Sequence, residues 1–454
     1  MTRPAIVWLR DDLRLGDHPA LAAALERGGP VILLHVLDDE SPEVRPLGGA
    51  TRWWLHHSLA ALASDVAERG GRLVLRRGRA EEVLPDLVAE ADADAVFWNR
   101  RYSSARAIDA RLKERLRADG LDVRSFAANL LAEPWEVTTG AGEPFKVFTP
   151  FWNALRQRDL RDPLPAPEAL PGGPDVASDD LDAWGLLPTR PDWAGGLRET
   201  WEPGERAAHR RLEEFARDGL ADYGRRDDLD TATSRLSPHL RFGELSPAQL
   251  WHRLHGDLAP DARRHVPGFL RQLAWRDFCW STLSAHPDLA RRNLRPAFDR
   301  FPWSWDRGDE LRAWQRGRTG IPLVDAGMRE LWSTGTLHNR VRMVVASFLV
   351  KNLLLHWRLG EEWFWDTLVD ADEASNPANW QWVAGSGNDA APYFRVFNPE
   401  LQAAKFDPSG AYVRRWLPDD GLLAPIVDLA ESRRDALDAY ETIRHPVRPE
   451  AAPR

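Results

Sequence analysis

The sequence is short of the residues that build several common kinds of site. It has one cysteine among 454 residues, Cys279, which excludes disulfides within the chain, zinc fingers and four-thiolate iron–sulfur clusters, and no metal site is predicted. No apolar run approaches the roughly 18 residues of a membrane span, since the longest, residues 344–350, ends at Lys351. The segment Leu-Arg-Asp-Asp at residues 9–12 is unlike a signal peptide. We therefore expect a cytoplasmic protein without a membrane partner.

Residues 1 to about 130 alternate short apolar runs with amphipathic stretches. The predicted strands are Ala5–Leu9, Val31–Leu37, Arg72–Leu75, Ala95–Asn99 and Asp122–Phe126. Helical spacing occurs between them, at residues 18–27, 51–69, 80–91 and 104–119. Strands that alternate with helices predict a parallel sheet with right-handed crossovers. Because the strands are apolar at nearly every position, we expect helices to cover both faces of the sheet. We expect a doubly wound α/β domain with a five-stranded parallel sheet over residues 1–130.

Glycine-rich phosphate-binding loops are missing from this predicted domain. Neither G-x-G-x-x-G nor a Walker A loop follows the first strand, where residues 10–15 read Arg-Asp-Asp-Leu-Arg-Leu. A dinucleotide bound on a glycine-rich helix N-terminus is therefore not expected there.

A proline-rich stretch separates the α/β pattern from the rest of the chain. Seven prolines fall between Pro163 and Pro191, which neither a helix nor a central strand accommodates. We predict an interdomain linker over residues 131–200. Beyond it the pattern is helical, for example at residues 207–218, 246–255, 266–284, 321–333 and 338–357. This pattern predicts an all-α domain over residues 201–454.

Charge and tryptophan content point to a function. The net charge of −9 argues, taken alone, against a nucleic-acid partner. Residues 263–357, however, hold 16 Lys and Arg against 8 Asp and Glu, a pattern typical of local phosphate-backbone binding or, equally, of solvated helix faces. The 22 tryptophans exceed what cores usually need, whereas flavin sites, base stacking and electron hopping all use indoles.

Four polar segments interrupt the helical pattern. The hydroxyls of residues 233–238 predict either a phosphate cradle or an ordinary helix cap. In residues 338–343, helical spacing turns Arg342 inward with the apolar face, so it needs a carboxylate such as one in residues 370–372. That pair could equally be a structural salt bridge. Residues 272–278 and 376–382 place indoles beside amides, which suits base recognition, although core packing explains either segment alone.

Taken together, these segments resemble motifs of the photolyase and cryptochrome family. The resemblance rests on Thr-Ser-Arg-Leu-Ser at 233–237, Trp-Arg-Asp-Phe at 275–278, Gly-Arg-Thr-Gly at 317–320 with Val-Asp-Ala-Gly-Met-Arg at 324–329, His-Asn-Arg-Val-Arg-Met at 338–343, and the run 376–399. The motifs occur in the family's order, and the domain plan of the whole chain agrees with the resemblance. The resemblance implies FAD in a folded, U-shaped form in the helical domain, and a second antenna chromophore of folate or deazaflavin type.

The resemblance also assigns FAD contacts by position. They are Tyr223, Thr233, Ser234, Leu236, Ser237, Phe269, Arg276, Arg342, Asp370, Asp372 and Asn376. In the family pattern the hydroxyls hold the phosphates and ribityl chain, Arg342 pairs with Asp370 near the isoalloxazine ring, and Asn376 faces N5. An amide can donate or accept there, as flavin redox states require.

Two further sets of residues follow from the resemblance. Trp380, Trp357 and Trp305 match the family's electron-transfer chain, with Trp303 as an alternative outermost member. The implied contacts to DNA and the lesion are Arg226, Gln272, Trp275, Asn339, Arg340, Met343, Trp382 and Gln402.

The implied activity is light-driven repair of cyclobutane pyrimidine dimers in UV-damaged DNA by a monomer. Asn339 and Met343 stand where enzymes for (6-4) photoproducts carry histidines, which favours the cyclobutane dimer. Gln272 stands where many cyclobutane-dimer enzymes carry a glutamate, a departure that bears on the efficiency of repair more than on the identity of the lesion. The alternative is a cryptochrome-type blue-light photoreceptor, which the short tail 445–454 disfavours. A nucleotide-binding protein without redox chemistry would leave the indoles of the helical half unexplained.

Overall fold

The chain divides into two compact units in a computed structural model that describes residues 2–231, 233–390, 394–418 and 423–444. The first unit comprises Met1–Gly224, Thr233–Pro287 and Leu368–Asp372, and the second comprises Arg225–Ala232, Asp288–Thr367 and Glu373–Arg454. Residues 391–393 of the long motif run and the tail 445–454 lie outside the described residues.

The first unit contains a five-stranded parallel sheet. Its strands are β1 (Ala5–Leu9), β2 (Val31–Leu37), β3 (Leu73–Arg77), β4 (Ala95–Asn99) and β5 (Asp122–Phe126). They lie in the order β3-β2-β1-β4-β5, and every neighbouring pair is parallel. Because β1, β2 and β4 are buried at every residue, both faces of the sheet are covered. The predicted five-stranded, doubly wound α/β domain is confirmed.

Four helices connect the strands and cover the sheet. They are α1 (Pro19–Leu25), α2 (Gly49–Glu68), α3 (Ala80–Ala91) and α4 (Arg106–Ala118). One apolar cluster includes Val7 and Trp54, and a second includes Ile6 and Trp98. Successive strand residues point to opposite faces, which is why Ile6 and Val7 belong to different clusters.

The rest of the first unit is helical apart from the proline-rich stretch. Its helices are α5 (Phe148–Leu155), α6 (Gly195–Thr200), α7 (Glu205–Glu214), α8 (Ser237–Arg241), α9 (Pro247–His255), α10 (Pro260–Arg263) and α11 (Val266–Ala285). Between α5 and α6 the chain forms one short 3-10 turn, Asp182–Trp184, and otherwise runs without a helix. The capping box of Ser246 and Gln249 begins α9.

The second unit is helical over its described residues, as predicted for the C-terminal part of the chain. Its helices are α12 (Asp309–Gln315), α13 (Pro322–Thr334), α14 (Asn339–Ser347), α15 (Trp357–Thr367), α16 (Ser375–Ala384), α17 (Pro399–Phe406), α18 (Ala411–Trp416) and α19 (Leu429–Arg444). Within the described ranges of both units, no helix has the length and apolarity to cross a bilayer.

One predicted helix is broken in the structure. Residues 338–357 carry continuous helical spacing, yet α14 passes into a π-turn at Phe348–Asn352 and the helix then ends. Leu354 has a positive φ of 50°. Leu355 forms a parallel bridge with Ser304, and a new helix begins at Trp357. The prediction of one helix over 338–357 is therefore wrong, because the pairing of Leu355 with Ser304, 51 residues away, leaves no periodic signal in the sequence.

The Gly-Arg-Thr-Gly motif at 317–320 has a structural reason. Asp325, in the first turn of α13, accepts hydrogen bonds from the N–H of Thr319 at 2.7 Å and the N–H of Gly320 at 2.9 Å. Gly317 and Gly320 have φ of 59° and 76°, a region that favours glycine. The motif thus builds the tight turn into α13.

Candidate functional site

Helix α16 begins with a buried amide whose orientation is determined by its partner. Asn376 is 8% exposed, and its Nδ2 donates to the backbone oxygen of Glu361 at 3.0 Å and to Glu361 Oε1 at 2.9 Å. Both partners are acceptors, so the amide nitrogen must face Glu361. No described residue donates to the Asn376 Oδ1. A flavin N5 that carries a proton would find an acceptor there.

The hydroxyls at residues 233–237 also fit the predicted cofactor. Arg211 donates to the backbone oxygens of Thr233 and Ser234, at 3.1 and 2.8 Å. Neither side-chain hydroxyl donates to a described residue, and Ser237 is exposed at the start of α8. These unused donors suit phosphate or ribityl oxygens. In the same unit Tyr223 packs edge-on against Phe269, at 5.2 Å between ring centres.

Arg276 is held on α11 by backbone oxygens. Its Nη1 donates to Asn129 at 2.8 Å and its Nη2 to Leu240 at 3.3 Å. The neighbouring Asp277 is 2% exposed and accepts from the N–H of Leu131 at 2.7 Å. Burial nevertheless raises the pKa of Asp277 to about 7, against the lowering effect of the Arg276 charge. A carboxyl poised near neutrality therefore adjoins a predicted FAD contact.

The remaining predicted FAD contacts fall in different units. Leu236 is buried and Asp372 is 6% exposed in the first unit, where Asp370 is half-buried. Arg342 belongs to the second unit, and its Nε donates to the backbone oxygen of Leu337 at 3.0 Å. The Arg342–Asp370 ion pair stays a prediction.

Trp380 lies one helical turn after Asn376, on the same face of α16. Its indole is 2% exposed and contacts Phe364 at 5.0 Å and Trp314 at 6.2 Å between ring centres. A methyl group built on Gly360 of α15 would overlap Cη2 of Trp380. Gly360 therefore permits the close packing of α15 on α16 that positions this indole.

We expect Gly360→Ala to destabilise the protein by about 1–3 kcal/mol, because overpacking forces the Trp380 ring or α15 to move. Urea unfolding measures the loss, and slower flavin photoreduction reports the displaced indole. Gly268→Ala is the matched control: it is also helical, and a methyl there meets nothing within 4 Å. The control should be neutral or slightly stabilising. Equal destabilisation of the two variants would contradict the packing argument.

The other predicted members of the electron-transfer chain also lie in the second unit. Trp357 is completely buried, and its Nε1 donates to Asn293 Oδ1 at 2.9 Å. Trp305 is 51% exposed, whereas Trp303 is 9% exposed. Of the two candidates for the outermost position, Trp305 is therefore the one that solvent reductants reach.

Four predicted DNA contacts lie at or near the start of α14. Arg340 donates to Asp227 Oδ2 at 2.6 Å, and its guanidinium lies 4.7 Å from the Phe406 ring centre. The backbone oxygen of Arg226 lies 2.8 Å from a ring nitrogen of His338. Asn339 is exposed, and its Nδ2 lies 3.8 Å from the sulfur of Met343. The ion pair with Asp227 uses only the Nη2 group of Arg340, and a guanidinium has further N–H donors for a contact to DNA.

The other predicted lesion contacts are distributed over three helices. Trp382 is half-buried on α16, where its Nε1 donates to the Asp389 backbone oxygen at 3.1 Å. Gln402 is half-buried on α17. In the first unit, Gln272 is exposed on α11, and Trp275 is half-buried with one ring face stacked on Phe148 at 3.9 Å. Both indoles thus retain partial access to a ligand.

Sequence reasoning missed Glu361, Asn293 and Asp277. Glu361 had a usable signal, since it follows Trp357 by four residues and therefore shares its buried helix face. Asn293 had none, because it contacts Trp357 across 64 residues of chain.

Comparisons with known proteins agree with the motif resemblance. A family model described as the FAD binding domain of DNA photolyase matches residues 269–421, and one described as DNA photolyase matches residues 5–168. The predicted FAD cofactor is supported by the first match.

Similarity to individual proteins extends over the whole chain. It is 48% identical to the deoxyribodipyrimidine photo-lyase of Agrobacterium fabrum over 98% of both chains. It is 41% identical to Cryptochrome-1 of Arabidopsis thaliana over 91% of this chain and 63% of that protein. The crystal structure of a class III photolyase from Agrobacterium tumefaciens matches with a TM-score of 0.92 at 48% identity, covering 98% of each chain. The chain therefore belongs to the DNA photolyase and cryptochrome family, as its motifs predicted.

Proposed function

We propose that this chain repairs cyclobutane pyrimidine dimers in DNA under light, by electron transfer from photoexcited reduced FAD to a lesion flipped out of the duplex. The observation that carries the proposal is the make-up of α16. This one helix presents an amide at Asn376 whose oxygen accepts from no described residue, a buried indole at Trp380 and a half-buried indole at Trp382. The name of the relative from Agrobacterium fabrum, deoxyribodipyrimidine photo-lyase, supports the same activity.

When bound, reduced FAD supplies the photoexcited electron. The polypeptide holds the cofactor, orients it towards the lesion and shields it from water. The residues proposed to hold the phosphates and ribityl chain are Tyr223, Thr233, Ser234, Leu236 and Ser237. Phe269 and Arg276 would line the same pocket. Asn376 accepts a hydrogen bond from N5, while Arg342, Asp370 and Asp372 set the charge near the ring.

The lesion is recognised outside the duplex by indoles and polar side chains. Trp275 and Trp382 stack on the flipped pyrimidines, and stacking of this kind contributes about 1–3 kcal/mol per base. The proposed polar contacts to the lesion and its backbone are Arg226, Gln272, Asn339, Arg340, Met343 and Gln402. The ion pair of Arg340 with Asp227 keeps this guanidinium oriented before DNA arrives.

The remaining parts of the proposal concern light capture and context. A second chromophore of folate or deazaflavin type serves as antenna. The functional division of the chain follows residues 1–130, 131–200 and 201–454, for antenna binding, linker, and FAD and lesion binding. The protein acts as a monomer in the cytoplasm on UV-damaged DNA.

Repair is tested with a dimer-containing oligonucleotide and chemically reduced protein under near-UV or blue light. We expect thymine absorbance to return in light and to stay unchanged in the dark. Retained FAD without any repair would instead support the cryptochrome-type photoreceptor. The similarity to Cryptochrome-1 is the observation that favours this second candidate function.

Asn339→Ala should weaken binding of the damaged oligonucleotide by about 1–2 kcal/mol, roughly five- to thirtyfold, because it removes a hydrogen bond to the lesion. Binding of undamaged DNA and the FAD content should stay unchanged. Asn153→Ala, at an exposed asparagine on α5, is the matched control. Equal weakening for damaged and undamaged DNA would show that Asn339 does not read the lesion.

A further inference from the structure

His356 lies in the break between the π-turn and α15, with its imidazole among three indoles. The ring is stacked on Trp305 at 3.8 Å between centres and 17° between planes. It meets Trp303 edge-on at 4.9 Å and lies 5.6 Å from Trp357. His356 is 8% exposed, whereas Trp305 is 51% exposed. The imidazole therefore adjoins both the buried and the exposed indole of the proposed electron-transfer chain.

Backbone pairing determines this arrangement. The His356 N–H donates to the Ser304 oxygen at 2.8 Å, and the Ser304 N–H donates to the Leu354 oxygen at 2.8 Å. These bonds place residues 303–305 alongside residues 354–356. Because side chains of paired extended segments stand side by side, Trp305 and His356 stack.

The ring is held in its neutral form. The backbone N–H of Arg358 donates to Nδ1 of His356 at 3.1 Å, as at a helix N-cap. An imidazolium has no acceptor nitrogen, so this bond requires neutral imidazole with its proton on Nε2. Burial, with the Arg358 charge adding to it and the Asp299 charge opposing it, lowers the pKa of His356 from 6.5 to about 4. Arg307 and Arg358 also share Glu362, with N–O distances of 2.8 and 4.0 Å.

The indole N–H of Trp357 is linked by hydrogen bonds to Asn293 and, through it, to Asp299. Its Nε1 donates to Asn293 Oδ1 at 2.9 Å, and Asn293 Nδ2 donates to Asp299 Oδ1 at 2.7 Å. A carboxylate thus faces the indole N–H through one amide. Positive charge on Trp357 is stabilised by this arrangement, whereas positive charge on His356 would oppose it.

We propose that His356 is the positioning residue for the outermost electron-transfer step, and that a proton on its ring disconnects Trp305 from Trp357. The inference rests on the Trp380–Trp357–Trp305 chain of the proposed function. In this step Trp305 gives one electron to the Trp357 radical cation. The resulting Trp305 radical cation releases its indole proton to water and is then reduced by a thiol in the medium. An imidazolium stacked on Trp305 disfavours the positive charge that this step creates there.

Two substitutions test the aromatic ring of His356 and its hydrogen bond to the Arg358 N–H separately. His356→Phe keeps an aromatic stack and cannot titrate. His356→Asn keeps an acceptor for the Arg358 N–H and loses the ring, so α15 retains its cap. His286→Phe, at an exposed histidine, is the matched control.

The measurement is the yield of the long-lived Trp305 radical after a flash, by transient absorption of FAD-loaded protein between about pH 3.5 and 8, a range that crosses the lowered pKa of His356. We expect the wild-type yield to fall at least threefold towards the acid end, and His356→Phe to give a pH-independent yield. His356→Asn should lose at least threefold at every pH. An NMR titration of the His356 ring is the second readout and is independent of electron transfer.

The outcomes distinguish this inference from the proposed function. Acid loss that persists in His356→Phe, or a wild-type yield in His356→Asn, would overturn the role of His356. If Trp380→Phe left the radical yield intact, the proposed chain itself would be wrong. Repair by chemically reduced protein should be unchanged in all His356 variants.

Discussion

Trp380→Phe is expected to slow photoreduction of the oxidised flavin more than about tenfold, while repair by chemically reduced protein changes by less than about twofold. Phenylalanine keeps most of the ring volume against Phe364 and Gly360, but it is far harder to oxidise than an indole. Trp380 is 2% exposed, so a reductant dissolved in the medium does not reach this position. In the proposed function, repair starts from flavin that is already reduced, so it does not use the tryptophan electron-transfer chain.

Trp314→Phe is the matched control for Trp380→Phe. Trp314 is fully buried, contacts Trp380 at 6.2 Å, and donates to the Val345 oxygen at 3.0 Å. The substitution removes a similar volume beside the same helix, but it leaves the proposed route through Trp357 intact. Photoreduction at a near-normal rate would support that route. An equal loss in both variants would point to packing, and a loss of repair by reduced Trp380→Phe would refute its role as an electron relay.

Lys351→Met is expected to stabilise the protein by about 2–4 kcal/mol near neutral pH, because it removes a buried charge. Lys351 is 3% exposed in the π-turn, and no carboxylate of the described residues lies within ion-pair distance. Its Nζ donates to the Arg395 backbone oxygen and lies 4.3 Å from the Phe394 ring centre. Methionine retains the packing of the stem and loses only about 1 kcal/mol of hydrogen bonding.

The lowered pKa of Lys351 also predicts how the stability gained by Lys351→Met changes with pH. Burial, with the Arg395 charge adding to it, lowers the pKa of Lys351 from 10.5 to about 7. Between these values the unfolded chain binds more protons than the folded protein, so this lysine makes stability rise with pH. Its destabilising effect is complete below about pH 7. The gain from Lys351→Met should therefore be largest there and decrease towards pH 10.

Urea unfolding at several pH values measures the effect, with Lys405→Met as the matched control. Lys405 also lies over a phenylalanine, 5.1 Å from the Phe406 ring centre, but it is exposed on α17. The control should change stability by less than about 0.5 kcal/mol at any pH. A destabilisation by Lys351→Met that does not vary with pH would show that the ammonium is not a buried charge.

Much of the first unit could be predicted from local patterns. Buried strands such as Ala5–Leu9 are apolar at every position, and the connections between them carry helical spacing of ordinary length. These are properties of consecutive residues, and they suffice to predict a doubly wound sheet. The break at 353–356 could not be predicted in this way, because Leu355 pairs with Ser304 while its own neighbours still show a helical period.

The candidate site shows the same division. Motif order alone identified the family and named Asn376, Trp380 and Trp382. It did not indicate that Glu361 orients the Asn376 amide, that Asp227 holds Arg340, or that Gly360 makes room for Trp380. Glu361 lies 15 residues from Asn376 in the sequence, and Asp227 lies 113 residues from Arg340. No periodicity of a helix or a strand predicts a contact at either separation.

By itself, the sequence determined the class of each half, the family and the residue types available for flavin, lesion and electron transfer, because these depend on composition and short-range order. Only the tertiary structure decided the hydrogen bond to Nδ1 of His356, the exposure that distinguishes Trp305 from Trp303, and the burial of Lys351 beyond ion-pair distance of every carboxylate among the described residues. Those properties depend on which side chains from distant segments share a low-dielectric interior, and folding alone brings them together.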